Sequence, residues 1–360
     1  MTFSTLILLA AGKRISIKDR IIVQQDFHHT APRDIKSIIT RVFLYTLILE
    51  GIGAFSLFFR WLREYSWLES ICKAVFHSVS AFCNAGFSLF SGSFLSFRGD
   101  IWINLTIMLL IILGGVGFLV LDEVRNIFFR LIKRKKIKVS LHTELVMIIT
   151  AVLILLPSLI FLAVEWNQAL AGFSLKDKVF SSFFQIVTPR TAGFNTLNLN
   201  LLSLPIIFLL IMLMFIGASP GSTGGGVKTC TIGVIFAYLK SKITARESVN
   251  VFYRTIPVEL VTKAFTVVTL AILIIFLSSF LLFLTQPGLA MKEILFEVFS
   301  AFGTVGLSLG ITPRLNDFGK IIIIFTMYIG RIGPLTLLYA FSREKSYGRF
   351  EYAEETVMIG

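Results

Sequence analysis

The sequence predicts an all-α polytopic membrane protein in which helix, re-entrant loop, helix units repeat around a pseudo-fourfold axis. Three observations predict it. Apolar runs long enough to cross a bilayer recur along the chain, basic residues crowd into alternate connections between those runs, and a short glycine-centred motif returns three times at near-equal intervals.

The apolar runs set the class. Of the 360 residues, 55% are hydrophobic and only 15% charged, against a charged share of about 25% in ordinary soluble domains. Residues 101–121, 145–164 and 264–285 carry no charge at all. Each is long enough to cross a hydrocarbon core about 30 Å thick, which takes about 20 residues of helix. Residues 42–59 resemble them but contain Glu50, and residues 203–227 resemble them but are broken by glycines.

The basic residues set the topology. A net charge of +13 would suit nucleic acid if it lay on one soluble face, but here it lies in short connections between apolar runs. Lys13, Arg14, Lys18 and Arg20 form one cluster, and Arg130, Lys133, Arg134, Lys135, Lys136 and Lys138 a second. Lys240, Lys242, Arg246 and Arg254 form a third, and Arg343, Lys345 and Arg349 a fourth. Two crossings between consecutive clusters bring all four to one side, the cytoplasmic side by the positive-inside rule, in a multi-pass protein of the cell membrane. Nucleic acid is thereby excluded as a partner.

The repeated motif supplies the internal architecture. Residues 80–89 read SAFCNAGFSL and residues 300–309 read SAFGTVGLSL, identical at six of ten positions, while residues 187–196 read VTPRTAGFNT. Asn84-Ala85-Gly86-Phe87 aligns with Thr191-Ala192-Gly193-Phe194 and with Thr304-Val305-Gly306-Leu307, and the glycines recur at intervals of 107 and 113 residues. Each copy follows an apolar stretch too short to span and lies between two that are long enough. A short helix ending in a glycine bend on the outer side is what a re-entrant pore loop needs, because irregular backbone at membrane depth must be buried in protein or face water. Rings of carbonyl oxygens at such bends can replace the hydration shell of a monovalent cation, with the negative ends of the short helices aimed at the same axis.

Four loops would close such a ring, and the sequence holds three. Projecting the interval back from Gly86 places a fourth filter glycine before Met1, and MTFSTLILLA at residues 1–10 reads as the end of a helix whose first half is missing. The expected division is therefore a remnant of the first repeat at 1–12 and a cytoplasmic loop at 13–37. The second repeat occupies 38–130, a loop 131–143, the third repeat 144–238, a loop 239–256, the fourth repeat 257–342 and a cytoplasmic tail 343–360.

These motifs resemble the Trk/Ktr/HKT superfamily of potassium transporters, most closely the membrane subunit of bacterial Ktr systems. The resemblance rests on HSVSAFCNAGFSLF (77–90), TPRTAGFNT (188–196), GASPGSTGGGVKT (217–229), SAFGTVGLSLG (300–310) and GRIGPLTL (330–337), in that order along nearly the whole chain. It implies that the twelve aligned motif residues form one potassium filter, the only metal-ion site expected. It also implies that Gly217, Ala218, Ser219, Pro220, Gly221, Ser222, Thr223, Gly224, Gly225 and Gly226 form an intramembrane gate loop beneath that filter. Arg331, a cation inside the last spanning helix, is expected to project toward that loop and oppose cation passage. Glu50 is the other intramembrane charge and is read as a packing or interface residue, with Lys228 and Arg331 as candidate partners.

No paired carboxylates, nucleophile or metal-ligand cluster points to an enzyme, and no cofactor is implied. Cys72, Cys83 and Cys230 have neither disulfide nor metal-ligand spacing. The run GSTGGGVKT at 221–229 imitates a phosphate-binding loop, but Val227 separates the glycines from Lys228, and no strand precedes it. The expected function is uptake of potassium, with sodium as a coupling or activating ion left open. The expected partners are membrane lipid, a second copy in a homodimer and a cytosolic nucleotide-binding regulatory subunit (KtrA-like). The rival readings are a non-conducting or truncated membrane subunit and a secondary solute transporter with broken helices.

Overall fold

The computed structural model describes residues 35–134, 136, 138–334 and 336. The expected remnant 1–12, the first basic cluster and the tail 343–360 lie outside the described residues.

Three long helices open the three repeats: α1 (Ile35–Trp61), α5 (Leu141–Glu165) and α9 (Val258–Thr285). Their 25 to 28 residues rise about 1.5 Å each, enough to cross a bilayer with some tilt. Apolar side chains such as Ile52, Phe55, Leu155, Leu159, Leu273 and Phe276 stay exposed along them. That surface is fitted to lipid, whereas buried serines and threonines such as Thr150, Ser158 and Ser278 face the interior.

Each long helix is followed by a short one: α2 (Trp67–Phe82), α6 (Leu175–Val187) and α10 (Met291–Gly303). Their starts are fixed locally. The Ser66 hydroxyl accepts from Glu69 N–H and that of Ser174 from Asp177 N–H, while the Glu293 carboxylate accepts from Ala290 N–H at 3.1 Å. At 13 to 16 residues they are about 20 to 24 Å long, too short to span, so their C-termini end inside the protein.

A third helix completes each unit: α3 (Ile101–Val116), α7 (Leu204–Phe215) and α11 (Asp317–Ile332). Residues 101–121 were expected to cross as one helix. Instead the chain bends by 103° at Gly117, between α3 and α4 (Phe118–Ile132). Gly117 permits the bend with φ 98°, and a distant partner holds it: the next N–H, that of Phe118, leaves the helix to donate to the Gly221 carbonyl at 3.0 Å. In the third repeat the break is a loop, residues 216–228, after which α8 (Thr229–Ile243) resumes. The connection 239–256, read as a plain loop, holds a hairpin of β1 (Val249–Val251) and β2 (Arg254–Ile256) in which Val249 faces Ile256.

The repeats pack in rotation. α3 of the second repeat lies against α6 of the third, and α7 of the third lies against α10 of the fourth. The apolar core is built at these seams. Phe82, Phe94 and Ile107 join Phe184, Val187 and Phe194 in one cluster, and Ile206, Leu210 and Met214 join Phe296, Val305 and Leu307 in the next. The short helices thereby deliver their C-terminal loops to a shared centre.

Candidate functional site: three glycine loops above an intramembrane loop

The three motifs adopt one backbone. Asn84, Thr191 and Thr304 have φ of 50°, 68° and 52°, and Gly86, Gly193 and Gly306 have φ of 72°, 78° and 86°. Ala85, Ala192 and Val305 between them do not enter the left-handed region. A left-handed residue with a side chain costs about 1 to 2 kcal/mol, so the same outlier at three aligned positions is a built feature.

The loops also meet. A Cβ placed on Gly86 would lie 2.5 Å from the Ala192 carbonyl oxygen and 3.2 Å from Gly193 Cα. One placed on Gly193 would strike the Val305 carbonyl oxygen and lie 3.4 Å from Gly306 Cα and 3.5 Å from Gly86 Cα. Among the described residues, one on Gly306 would meet only Gly193 Cα, at 3.8 Å. Gly193 therefore sits between the other two, and side chains are excluded where the backbones converge.

Hydrogen bonds fix each loop to its short helix and to its neighbour. Ser80 Oγ donates to the Phe87 carbonyl at 2.8 Å, and Thr188 Oγ1 donates to the Phe194 carbonyl at 2.7 Å. The residue after each of these glycines thus has its carbonyl tied back to the helix. Asn84 Nδ2 donates to Arg190 O and Thr191 Oγ1, each at 3.3 Å, linking the second loop to the third. Phe194 and Leu307 are buried in the seam with the preceding repeat, whereas Phe87 is 70% exposed.

Beneath these loops lies the segment 216–228. Its first and last residues pair, with Gly217 N–H donating to Val227 O and Val227 N–H to Phe215 O, at 3.0 and 3.2 Å. Ser219 N–H donates to Gly115 O, Thr223 N–H to Gly114 O, and Gly226 N–H to Gly330 O, at 2.9 to 3.4 Å. The loop is thus tied to the third helices of both other repeats. Ser222 Oγ donates to Ser219 O at 2.6 Å and Thr229 Oγ1 to Ser219 Oγ at 3.0 Å, which stiffen the turn around Pro220 and Gly221. Gly224 and Gly225 press against the side chains of Thr191 and Thr304, and Ala218 is fully buried. Any Cβ at Gly224 or Gly225 would collide with those threonine hydroxyls, so the loop closes directly under the bends.

Arg331 reaches this loop from α11, its Nη1 donating to Thr223 O at 2.6 Å. Lys228 Nζ donates to Gly224 O at 2.7 Å. Glu50, for which these two cations were the candidate partners, instead has Cys83 as its neighbour, the thiol donating to Oε1 at 3.6 Å. Sequence reasoning passed over Arg190. It is 2% exposed, with Nη2 donating to Thr150 Oγ1 at 3.2 Å and its backbone carbonyl accepting from Asn84. A lone arginine inside an otherwise uncharged motif was the available signal.

With this geometry in place, comparison with known proteins is direct. The family model described as TrkH, cation transport protein, matches residues 4–351. The chain belongs to the TrkH family. It is 37% identical to the Ktr system potassium uptake protein B of Bacillus subtilis (strain 168), across 100% of this chain and 80% of that protein. The corresponding protein of Vibrio alginolyticus is 34% identical, and the potassium/sodium uptake protein NtpJ of Enterococcus hirae is 32% identical, each matched along 100% of this chain. The fold agrees with that of the potassium transporter TrkH from Vibrio parahaemolyticus, with a TM-score of 0.72 and 20% identity over 90% of this chain and 68% of that one. As a TrkH-family member the chain is a membrane transport protein and not an enzyme.

Proposed function

We propose that this chain is a potassium uptake subunit that conducts through a carbonyl-lined filter gated from below by an intramembrane loop. The filter is Asn84 to Phe87, Thr191 to Phe194 and Thr304 to Leu307, and the gate is Gly217 to Gly226 with Arg331. The convergence of Gly86, Gly193 and Gly306 with one repeated backbone carries the reading. Where the hand of the backbone alternates, successive carbonyls can face one side and take the place of water around a dehydrated ion. Inward movement is driven by membrane potential, worth about 2.3 kcal/mol per charge per 100 mV. The relatives named for potassium, and for potassium and sodium, uptake support potassium as cargo and sodium as a second monovalent ion.

The finer parts of the reading follow from the same frame. The repeats divide at 38–130, 144–238 and 257–342, with the basic connections in the cytoplasm and the chain in the plasma membrane. It works as a homodimer with a cytosolic nucleotide-binding regulatory subunit that docks on the basic connections, and the anionic inner leaflet is a further partner for those cations.

The test is growth rescue and rubidium uptake in cells lacking potassium uptake systems, with sodium as competitor. Gly193→Ser, which drives a side chain into Val305 O, is expected to lose discrimination against sodium most severely. Gly306→Ser, with 3.8 Å of clearance, is expected to lose less. Equal, wild-type ion preference in both variants would mean that these glycines only pack.

A further inference from the structure

Behind each glycine loop the short helix buries a large polar side chain three residues before its Ser80, Thr188 or Ser300: His77 in α2, Gln185 in α6 and Glu297 in α10. His77 and Glu297 occupy the same register, nine residues before Gly86 and Gly306, and each faces the serine two residues after its glycine, Ser88 or Ser308. His77 Nε2 accepts from Leu89 N–H at 3.3 Å, which leaves the proton on Nδ1, 2.7 Å from Lys73 O; this clamp is neutral. In the third repeat neither amide atom of Gln185 has a partner among the described residues.

The fourth repeat builds the same clamp with a charge. Glu297, 6% exposed, accepts from Ser308 Oγ at 2.7 Å and from Thr312 Oγ1 at 2.5 Å, so both carboxylate oxygens are engaged with the outer arm of the loop. Ser308 Oγ in turn accepts from Gly310 N–H at 3.0 Å, continuing the chain of bonds along that arm. Among the described residues Glu297 is the one buried carboxylate on the three short helices. No cation pairs with it in an ion pair there; the buried charge is held by hydroxyls alone. A buried charge without a counter-ion is costly unless an opposite charge completes it, and the species that passes in front of this loop is a cation.

We infer that Glu297 is a specificity-determining positioning residue of the pore: through Ser308 and Thr312 it fixes the fourth-repeat loop, and its charge stabilises the cation held at Val305 and Gly306. The pore is therefore electrostatically uneven: among the described loops a carboxylate backs the fourth, the buried Arg190 lies in the third, and a neutral imidazole backs the second. This inference rests on the filter reading proposed above.

Two measurements test it: rubidium uptake kinetics, and stabilisation of the purified full chain against heat by potassium or sodium. Glu297→Gln keeps the shape and removes the charge. It should raise the KM about tenfold while the maximal rate stays within about twofold, and shift the potassium needed for half-maximal stabilisation in parallel. Ser308→Ala with Thr312→Val removes the two hydroxyls that hold the carboxylate and loosens the arm. It should reduce preference for potassium over sodium. A folded Glu297→Gln with wild-type KM and ion preference would overturn the inference, as would one that only lowers the maximal rate and the melting temperature. If Glu297→Gln cannot be recovered, unchanged ion preference in the serine–threonine double variant overturns it alone. A wild-type chain with no potassium dependence in either assay would sink the filter reading and this inference together; a normal wild type beside an indifferent Glu297→Gln sinks only this one.

Discussion

The third helices of the second and third repeats break at the same place below the glycine loops, but by different means. In the second repeat one residue suffices: Gly117, at φ 98° and ψ 143°, turns the chain by 103°. The fourth repeat uses the same device, with Gly333 at φ 93° and ψ 135° just after α11. In the third repeat the break expands into residues 216–228, whose N–H groups go to carbonyls on Gly114, Gly115 and Gly330 beside the single-glycine elbows. The comparison teaches that a break at this depth belongs to the scaffold, while the proposed gate loop is an elaboration of one break held in place by the others. The elbows are tightly specified by backbone geometry. The loop is held by a set of individually modest hydrogen bonds, each worth about 1 kcal/mol net, so it can move without unfolding the repeats.

The sharpest way to break the comparison is to shorten the loop to elbow length. Deleting residues 223–226 removes the glycines that lie under Thr191 and Thr304 and the carbonyl that Arg331 holds. If the loop obstructs conduction, unstimulated rubidium flux should rise roughly tenfold or more, the factor given by lowering a barrier about 1.4 kcal/mol. Unchanged flux from a folded deletion variant would reduce the loop to a packing device.

The elbows can be compared with each other by stability. A Cβ at Gly117 would sit 2.5 Å from Pro220 O, whereas one at Gly333 would meet nothing among the described residues nearer than Thr336 Oγ1 at 3.9 Å. Both positions carry the same backbone penalty for a side chain, about 1 to 3 kcal/mol, but only Gly117 adds a clash with the loop. Gly117→Ala should therefore lower the melting temperature clearly more than Gly333→Ala. It should also raise unstimulated flux if the displaced Pro220 belongs to a gate, as proposed above. Equal destabilisation by the two variants would mean that elbow and loop are not mechanically joined.

Much of this was legible in the sequence, for reasons that can be assigned to particular residues. The aligned glycines were readable because converging backbones leave no room for a side chain at the bend, so the repeated motif and its near-equal spacing marked Gly86, Gly193 and Gly306. The loop at 217–226 was readable because its glycine and serine density cannot persist in a lipid-facing helix. The elbow at Gly117 was missed because one glycine in an uncharged run looks the same in a straight helix as in a bent one; what turns it is the Phe118 N–H captured by Gly221, more than a hundred residues away. The hairpin was missed because its strands are three residues each, too short for an alternating pattern to register. Glu297 and Arg190 were passed over because their significance lies in partners, Ser308, Thr312 and Thr150, that only the fold brings near.

The smallest expected effect falls at the contact that joins elbow to loop. Arg331 lies in the last turn before Gly333 and donates to Thr223 O at 2.6 Å, so it both ties the loop to the fourth repeat and places a positive charge under the bends. The two roles separate by substitution. Arg331→Gln removes the charge and, being two bonds shorter, the donor to Thr223 O as well, and should raise flux roughly fivefold, the worth of about 1 kcal/mol between unit charges at water-like screening. Because Arg331 is exposed to the space below the loop, that contribution should shrink as ionic strength rises. Arg331→Lys keeps the charge but not the planar donor, and should leave flux near wild type at low salt. If lysine behaves like glutamine, the hydrogen bond to Thr223 is what holds the loop closed; if glutamine behaves like the wild type, the charge under the bends contributes nothing to obstruction and the loop blocks by its backbone alone.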